Sequence, residues 1–466
     1  MQPAYPYNAT HTVLPVPTTW RKAAEDGMDT FFKIKERGSS YGQEIIGGLT
    51  TFLAMAYIIA VNPQILVSAG IPFNAALTAT CIGAAIMTLA MGLIANRPLA
   101  LASGMGISTI VAFTLCANEN AVDWRVAMAV VLVEGVIILI LVLCGLRKAV
   151  MDAIPASLRH AIGIGIGLFI AFIGLRGGGV IVADPDTLLT LGSVTSPVCI
   201  VSFISIALAI ILRALNVKGD LLISIIAATI IGIPLGVTTL PTTWDFGLDF
   251  STFAAPLQTD PNTGTMALLQ VFLQPALLLM AFSLLMSDFF DTMGTVVAVG
   301  IQGKFADKEG NVEDIQKILV TDSAAAIVGG FMGASSITTF AESTSGAAAG
   351  ARTGFSNLII AGLFLVFAFL SPIVNMVSGS ATCGALTVVG YLMISDIVNI
   401  DWAKLETAFS AFITIIGIPL TSSITYGIGM GFISYCLIML AKGEGRQVSP
   451  LMWIATAAFV VMFIFT

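Results

Sequence analysis

Apolar segments separated by short polar turns follow one another along the chain from residue 44 onward. Most contain about 20 residues, the length that crosses the hydrocarbon core of a bilayer as an α-helix. Because a backbone in lipid must satisfy its own hydrogen bonds, long continuous apolar runs predict helices rather than a barrel. The predicted spans are 44–63, 73–96, 98–118, 122–146, 158–180, 195–213, 220–238, 270–300, 318–336, 338–351, 354–374, 382–399, 406–419 and 422–441.

The order of these segments divides the chain into two halves of seven predicted spans each. Residues 239–266 separate the halves; they are rich in Thr, Pro and Asp and contain no Lys or Arg. An odd number of spans per half gives the halves opposite orientations, the inverted-repeat design of many secondary transporters. Residues 1–43 form a polar leader without a cleavable signal peptide, and the apolar segment 449–466 either spans the membrane or lies on its surface.

The third predicted span of each half has an unusual pattern. The first, 98–118, opens with the sequence PLALASGMGIS, and the second, 338–351, has only about 14 residues, too few for a full span. Both are dense in small residues, so we predict a short extended piece followed by a half-helix in each. The two half-helix N-termini would face each other near mid-membrane, where free N–H groups favour a carbonyl-rich or anionic ligand.

Composition supports a membrane protein, since 57% of the residues are hydrophobic, 10% are charged and the mean hydropathy is +0.97. Soluble domains average about 25% charged residues. If the N-terminus is cytoplasmic, eighteen of the twenty Lys and Arg residues fall inside, and only Arg125 and Arg176 fall outside. This bias predicts a multi-pass protein of the cytoplasmic (inner) membrane with a cytoplasmic N-terminus.

The chain shows little sign of cofactor or nucleic-acid chemistry. Its six Cys residues have no CxxC spacing and its two His residues are too few for a metal site, so we predict no metal and no cofactor. The net charge of −7 does not indicate a nucleic-acid partner. The glycines of 163–167 recur at every second position inside a span, which favours close helix packing over dinucleotide binding.

Carboxylates interrupt the apolar sequence at two places. A charge at bilayer depth costs about 2.5–3.5 kcal/mol on insertion scales and therefore indicates function. The first cluster, 287–295, contains Asp288 and Asp291, whose spacing of three puts both on nearly one helical face. Two close carboxylates share protons easily, because each disfavours ionisation of the other. Thr295 lies one turn beyond Asp291 and is expected to present a hydroxyl to the same cavity.

The second cluster, 336–346, places Glu342 at the predicted start of a half-helix. A carboxylate accepts two hydrogen bonds side by side, which matches adjacent N–H donors on a flat heterocycle, and a buried one can carry a proton. The alternative is an acid that stabilises its own helix. Phe340 either stacks on a planar ligand or packs in the core.

Three more polar residues lie inside predicted spans. We interpret Asp322 as a proton relay or a support for the half-helix pair. Asn62 precedes a proline and is interpreted as a helix stop, with a functional role as the alternative. Glu134 is interpreted as a structural partner of a polar neighbour.

The chain resembles the AzgA-like purine permeases, the adenine/guanine/hypoxanthine branch of the nucleobase–ascorbate transporter superfamily, over about residues 30–445. The motifs that carry the resemblance are TTFLAMAY at 50–57, NPQIL at 62–66, FDTMGT at 290–295, ES at 342–343 with GARTG at 350–354, and GMGFISY at 429–435.

The resemblance implies an all-α polytopic fold of fourteen transmembrane helices in two inverted repeats. A core domain would comprise 44–146 and 270–374, and a gate domain 158–238 and 382–441. Family members import purine bases with protons and are commonly dimers. The implied partners are therefore a purine nucleobase, a proton, the lipid bilayer and a second copy of the chain.

The resemblance also implies roles for individual residues. Asp291 and Glu342 match the two key acidic positions, and Thr295 falls where related uracil permeases have a histidine. The residues expected to line the base, besides these, are Phe340, Gly104, Met105, Gly106 and Ser108. The residues expected to couple protons are Asp288, Asp291, Asp322 and Glu342.

Two departures from the family pattern bear on the choice of purine. Relatives usually have Asn at the position of Ser108, and a Lys-Asn-Ala-Gly-like stretch near 176–179, where this chain has RGGG. Adenine presents an exocyclic amine, whereas guanine presents a carbonyl and an amine. A single exchange of Asn for Ser is therefore enough to shift selectivity.

Other functions on such a chain predict other residues. An anion transporter on the same fold predicts a cationic residue between the half-helices, and none is visible there; a uracil or xanthine transporter is a further alternative. A membrane enzyme using Asp288 and Asp291 to hold Mg²⁺ needs further acids in a second cluster and Arg or Lys nearby, and the span cores hold almost no basic residues. We therefore predict a proton-coupled purine importer and not an enzyme.

Overall fold

The computed structural model describes residues 27–117, 121–145, 154–241, 244, 246–306 and 312–465. Most of the predicted leader and a small part of the predicted inter-half segment therefore lie outside the described residues. The first half consists, in chain order, of α1 (Tyr41–Met55), α2 (Ile58–Val67), α3 (Phe73–Ile94), β1 (Leu101–Ser103), α4 (Met105–Thr109) with a π-helical continuation (Ile110–Leu115), α5 (Trp124–Leu143), α6 (Ala156–Gly177), β2 (Ile181–Asp184), β3 (Leu188–Leu191), α7 (Pro197–Ala214) and α8 (Asp220–Gly232).

The second half repeats the mixture of long helices and one broken segment. Its elements are the 3₁₀ turn Ala255–Leu257, α9 (Ala267–Leu273), α10 (Pro275–Gly303), α11 (Ile315–Met332), β4 (Ile337–Thr339), α12 (Ser343–Ala348), α13 (Phe355–Ala368), α14 (Ser371–Val374), α15 (Gly379–Ile394) with the 3₁₀ turn Ser395–Asn399, α16 (Leu405–Thr421), α17 (Ile424–Ala441), the 3₁₀ turn Gly445–Gln447 and α18 (Pro450–Phe465).

Serine side chains define where several helices begin. A serine hydroxyl accepts a hydrogen bond from the backbone N–H three residues ahead at Ser40, Ser196, Ser378 and Ser423. Such a cap satisfies one of the free N–H groups at a helix start and is worth about 1 kcal/mol. Polar turn residues between apolar runs therefore set the helix boundaries as well as separating the spans.

The helical, polytopic architecture confirms the predicted fold class. Within the described residues, nine helices are long and apolar enough to cross a membrane, and five apolar helices of 10–17 residues accompany them. The predicted span 44–63 is two helices, α1 and α2, with a break at residues 56–57. The segment 449–466 is mostly helical, as α18, which packs on α17 and α10.

The strands form two separate ribbons in the described part of the chain. Strand β1 pairs antiparallel with β4, joining the third segments of the two halves, as the prediction of short extended pieces requires. Strands β2 and β3 form a hairpin between α6 and α7 that the hydropathy pattern did not predict. Its turn is held by Asp184, and hydrogen bonds from Thr187 and Asp186 lower the pKa of that carboxyl below its ordinary value.

The helices pack mainly within two groups. In the first group α5 packs on α11, and α13 packs on α3 and α1; in the second, α6 packs on α15 and α16, α15 on α7, and α16 on α17. The glycines of 163–167 lie in α6, where a Cβ on Gly165 would sit 2.5 Å from Ile418 and one on Gly167 2.5 Å from Met393. These two glycines therefore allow close helix contact.

Arg97 ties the turn before β1 to the turn before α11. Its side chain is 4% exposed, and one guanidinium nitrogen donates to Glu313 at 2.8 Å and to Asp314 at 2.9 Å. The guanidinium also lies 4.9 Å from the centre of the Phe305 ring. The hydrogen bond from Arg97 is the main reason that the pKa of Asp314 lies below its ordinary value.

Replacing Arg97 with methionine should lower the free energy of unfolding by about 1–3 kcal/mol. Removing one partner of an ion pair costs more than this when both charges are buried. Here Glu313 and Asp314 are partly exposed, so water can solvate them after the change. A thermal-shift measurement in detergent tests the loss. Because the pKa of Asp314 is depressed in the folded state, the stabilisation is present above the ordinary carboxyl pKa, and the difference should shrink below about pH 4.

The matched control is Lys35→Ala, which removes an ion pair between Lys35 and Asp29 whose lysine side chain is 71% exposed. This change should alter stability by less than about 0.5 kcal/mol. Equal thermal shifts for the two variants would show that Arg97 does not stabilise the junction between the two turns.

Candidate functional site

The break between α1 and α2 brings an aromatic hydroxyl to the second carboxylate cluster. Tyr57 occupies the break, is 1% exposed, and donates its hydroxyl to Glu342 Oε1 at 2.7 Å. Residues 56 and 57 keep right-handed helical dihedral angles but form a turn between the two helices. A charge-assisted O–H···O⁻ bond of this kind fixes the carboxylate orientation.

The β1–β4 ribbon holds the two half-helices together. Its register pairs Leu101 with Thr339 and Ser103 with Ile337. Two further backbone bonds extend it, from Gly104 N–H to the Ser336 carbonyl at 2.8 Å and from Phe340 N–H to the Ala100 carbonyl at 2.9 Å. Because the strands are antiparallel and each is closely followed by its helix, α4 and α12 start from opposite ends of one ribbon.

Glu342 immediately precedes α12 and is half-buried. The ribbon residues before it are fully buried, whereas the Glu342 carboxylate keeps partial exposure and has Tyr57 as its hydrogen-bond donor. A second carboxylate oxygen therefore remains available for other donors. The segment 337–348 and the segment 101–115 contain no Lys or Arg, so no cation lies on either half-helix.

Asp291 lies in the middle of the 29-residue helix α10 and is exposed, although its neighbour Thr292 is fully buried. It is close enough to Glu342 and to Asp322 for their charges to act on it. A mid-helix carboxylate with exposed surface indicates a gap accessible to water beside it. The structure thus brings the two predicted acids, Asp291 and Glu342, to one place.

Asp322 on α11 is buried within a set of hydroxyls and backbone N–H groups. It accepts hydrogen bonds from Thr292 at 2.8 Å, from the Thr339 N–H at 3.0 Å and from Thr338 at 3.5 Å. These bonds join α11 to β4 and to α10. The arrangement corresponds to the supporting role that we considered for Asp322, while proton transfer at this residue stays a prediction.

The other residues predicted to contact the base differ in how much surface they offer. Gly106 is partly exposed, and a Cβ there would approach Ile166 at 3.1 Å. Phe340 is 6% exposed and packs in the main apolar core. The remaining residues are largely buried; they are Gly104, Met105, Thr295 and Ser108. Their contact with a base stays a prediction.

Ser108 has no exposed surface and donates its hydroxyl to Asn62 Oδ1 at 2.6 Å. Asn62 in turn donates to Thr80 at 2.8 Å and to the Ala334 carbonyl at 3.4 Å. Asn62 lies inside α2 and does not end it, because α2 continues past Pro63 to Val67. The helix-stop interpretation of Asn62 was therefore wrong, and its amide links three segments of the fold.

Glu134 finds a polar neighbour, as predicted, but the neighbour is another acid. It lies midway along α5 with 0% exposure, and its carboxyl group is within hydrogen-bonding reach of the Asp288 carboxyl group on α10. Asp288 is 2% exposed and has a second, long contact of 3.5 Å from the Ser336 hydroxyl.

A cavity of about 360 Å³ opens along one face of α2. It starts one turn beyond Tyr57 and lies between α2, the π-helical segment, α6 and α15. The residues lining it are Val61, Gln64, Ile65, Ser68, Phe113, Ile173, Gly174, Arg176, Gly177, Gly379, Thr382 and Leu386. Its volume is in the range of small-molecule sites, and it lies between the two groups of packed helices.

The site as a whole is rich in hydrogen-bond acceptors. Two carboxylates meet at the ribbon, and a tyrosine hydroxyl fixes one of them. The charged groups Arg213 and Asp220 also act on Glu342, but they form a salt bridge of 3.2 Å with each other. Such a site suits a ligand that carries N–H donors rather than an anion.

Sequence reasoning missed Tyr57 as a residue of this site. The available signal was the position of Tyr57 in an apolar run, at the end of the motif TTFLAMAY and shortly before the motif NPQIL. Replacing Tyr57 with phenylalanine should weaken ligand binding by about 5- to 20-fold, because the Glu342 carboxylate loses the hydrogen bond that orients it for the ligand.

A titration followed by thermal shift measures the effect of Tyr57→Phe. The matched control is Tyr391→Phe, since Tyr391 is 67% exposed and far from the acids along the chain. The control should bind like the unaltered protein. Equal affinities for both variants would contradict the role of the Tyr57 hydroxyl.

Comparisons with known proteins bear on this geometry. Residues 42–462 match the model described as Permease family. The chain is 40% identical to the guanine/hypoxanthine permease PbuO of Bacillus subtilis, over 93% of this chain and 100% of that protein. It is 36% identical to the adenine permease AdeP of Escherichia coli, over 96% of this chain and 98% of that protein.

A solved structure has the same fold at low sequence identity. The transmembrane domain of the cyanobacterial bicarbonate transporter BicA superimposes with a TM-score of 0.63 at 17% identity, covering 83% of this chain and 97% of that chain. At this identity the similarity concerns the fold alone. The fold is thus one used by membrane transporters with different cargoes.

Proposed function

The chain belongs to the Permease family, in its AzgA-like purine permease branch, and from this premise we propose that it imports purine nucleobases together with protons. The observation that carries the proposal is the meeting of Glu342, Asp291 and Tyr57 at the β1–β4 ribbon. The chain acts as a transporter rather than an enzyme, and it is an integral membrane protein.

Purines fit the chemistry of the site. A purine base is flat, uncharged at neutral pH, and carries ring or exocyclic N–H donors at its edge. The second oxygen of Glu342 accepts one such donor, while Tyr57 keeps the carboxylate in position. Relatives are named for guanine and hypoxanthine and for adenine, so the substrate is proposed as one or more of these three bases.

Asp291 carries the coupling proton in this proposal, and Thr295, one turn on, helps to shape the site. Protonation of Asp291 makes the cavity less negative, which favours its burial together with the base. Binding of the proton and binding of the base therefore help each other, and linkage makes this help reciprocal. The side chains lining the base would include Phe340 and the small residues at 104–106.

Transport would proceed by alternating access. The core domain, 44–146 and 270–374, moves against the gate domain, 158–238 and 382–441, and exposes the site to each side in turn. The two groups of packed helices and the cavity between α2, α6 and α15 support this division. We place the protein in the cytoplasmic membrane as a homodimer with its N-terminus inside.

Uptake in a bacterial strain without purine transporters tests the proposal. Cells expressing the chain should accumulate labelled adenine, guanine or hypoxanthine, and collapse of the proton gradient should abolish accumulation. Competition by unlabelled bases then ranks the three purines. Uptake of none of them, with the protein present in the membrane, would overturn the proposal; uptake of uracil, xanthine or bicarbonate instead would identify another cargo on this fold.

A further inference from the structure

A pair of buried acids lies next to the proposed purine site. Glu134 is at the middle of α5 and Asp288 is on α10, one turn before Asp291. Their exposures are 0% and 2%. The two carboxyl groups are within hydrogen-bonding reach of each other.

The pair has unsatisfied hydrogen-bonding capacity. Both carboxyl oxygens of Glu134 and the Oδ1 of Asp288 are buried and accept no hydrogen bond from another protein group in the described part of the chain. The Thr338 hydroxyl is within hydrogen-bonding reach of the Asp288 carboxyl group, and the contact from Ser336 to its Oδ2 is long, at 3.5 Å. Two carboxylates cannot hydrogen-bond each other, because both only accept; one proton between them converts one acid into a donor.

In the described part of the chain, no cation is among the groups that act on the pair. The charged groups that act most strongly on the pair are all carboxyl groups: Asp322 on Glu134, and Asp322 and Asp291 on Asp288. Besides α10 and α11, three shorter elements pack against α5, namely the π-helical segment 110–115, the 3₁₀ turn 255–257 and α9. None of these three contains an ionisable residue. Two buried like charges without a cation are strongly unfavourable in a low-dielectric interior.

Close helix packing keeps water away from one side of the pair. A Cβ on Gly135 would lie 2.7 Å from the backbone nitrogen of Ile327, and one on Gly330 would lie 2.7 Å from that of Leu132. The backbones of α5 and α11 are therefore in close contact at Leu132, before Glu134, and at Gly135, after it. Solvent has little room to supply the missing hydrogen-bond donor from this side.

We propose that Glu134 and Asp288 share one proton and together form the proton-binding site that couples transport, with Asp291 as the group that passes a proton to it from the gap beside α10. This inference rests on the proposed function as a proton-coupled importer. It assigns Glu134 a role in coupling instead of structural support, and it leaves base binding to Glu342 and Tyr57.

The transfer itself changes only O–H bonds. Asp291 takes a proton from water in the gap beside it and gives it to Asp288, which is three residues away on the same helical face. Asp291 becomes a carboxylate again, and the pair, which already shares one proton, takes up a second, so that its charge changes from −1 to 0. The core then carries less charge as it moves through the low-dielectric barrier, which lowers the cost of reorientation.

The test uses Glu134→Gln, which keeps the shape and still donates a hydrogen bond to Asp288. In proteoliposomes, a gradient of one pH unit drives about ten-fold accumulation of base in the unaltered protein if one proton moves with each base. In the variant, the internal concentration of base should only equal the external concentration. The dissociation constant for the base should change by less than about 3-fold. Exchange of external for internal base should persist.

Two controls separate coupling from folding. Glu44→Gln makes the same change at an equally buried acid, 0% exposed, which accepts the N–H of Arg352 at 2.9 Å, and it should retain the pH-driven accumulation. If Glu134→Gln fails to fold, Asp288→Asn replaces it with the same expected outcome. Normal pH-driven accumulation by the folded variant, or accumulation that follows a Na⁺ gradient instead of a pH gradient, would overturn the inference.

A second readout does not depend on transport. The infrared C=O stretch of a protonated carboxyl group, recorded at about pH 7 where ordinary acids are ionised, should be present in the unaltered protein and reduced in Glu134→Gln. An unchanged band overturns the shared proton even if purines are transported. A protein that moves no purine but shows the band change would overturn the proposed function and retain the buried proton site.

Discussion

Replacement of Glu342 with glutamine should abolish purine binding. The carboxylate accepts a hydrogen bond from Tyr57 through Oε1 and offers its second oxygen to the ring N–H groups of the base. In glutamine one acceptor becomes an NH₂ donor, which repels the same N–H groups and leaves them unpaired in a desolvated site. Loss of a hydrogen bond to a charged group together with this mismatch corresponds to about 3 kcal/mol, or more than about 100-fold in affinity.

Purine-dependent thermal stabilisation measures the affinity directly, because a ligand that binds only the folded protein raises its stability. Without ligand, Glu342→Gln should melt at nearly the same temperature as the unaltered protein, since Glu342 is only half-buried and Tyr57 can still donate to the amide oxygen. The control is Glu36→Gln, at a side chain that is 68% exposed. Unchanged purine affinity in Glu342→Gln would remove this residue from the site.

Replacement of Asp291 with asparagine should separate binding from accumulation. Asparagine keeps the size of the side chain and its exposure beside the cavity, so the base should still bind, with a dissociation constant within about 5-fold. It cannot take up a proton, so uptake should stop at equal concentrations of base inside and outside. The expected loss is the whole gradient-driven accumulation, about ten-fold for each pH unit and transported proton.

Uptake in the presence and absence of a pH gradient checks this result. The matched control is Asp186→Asn, in the exposed turn of the β2–β3 hairpin, which should transport normally. The infrared band assigned to the buried pair should remain in Asp291→Asn, because Glu134 and Asp288 are intact. Gradient-driven accumulation by the asparagine variant would contradict the coupling role of Asp291.

Breaks in the helices could be predicted where small residues and chain length gave a local signal. The segment 338–351 is too short to cross a membrane, and the sequence around 98–108 is rich in small residues, so extended pieces were expected and β1 and β4 are found there. The break at Tyr57 had no such signal. The run from 44 to 63 has no Gly or Pro between residues 49 and 62, and its division into α1 and α2 appears only in the folded chain.

The partners of the buried polar residues could not be predicted from sequence. Asp288 and Asp291 are three residues apart, yet Asp291 is exposed beside Glu342 whereas Asp288 is buried against Glu134. Helical spacing indicates which residues share a face of the helix. It does not indicate which other segments of the chain pack against each of those residues. Ser108 is a similar case, since its hydroxyl is directed to Asn62, which lies 46 residues earlier in the chain.

Four properties could be predicted from the amino-acid sequence: the membrane-spanning helical class, the approximate position of most spans, the two broken segments and the acids that interrupt apolar runs. These properties follow from local chemistry, because span length, hydropathy and the cost of a buried charge are read from neighbouring residues. Tertiary structure alone decided that Tyr57 meets Glu342 and that Glu134 meets Asp288. These contacts join residues 285 and 154 positions apart, and only the packing of helices from both halves brings them within hydrogen-bonding distance.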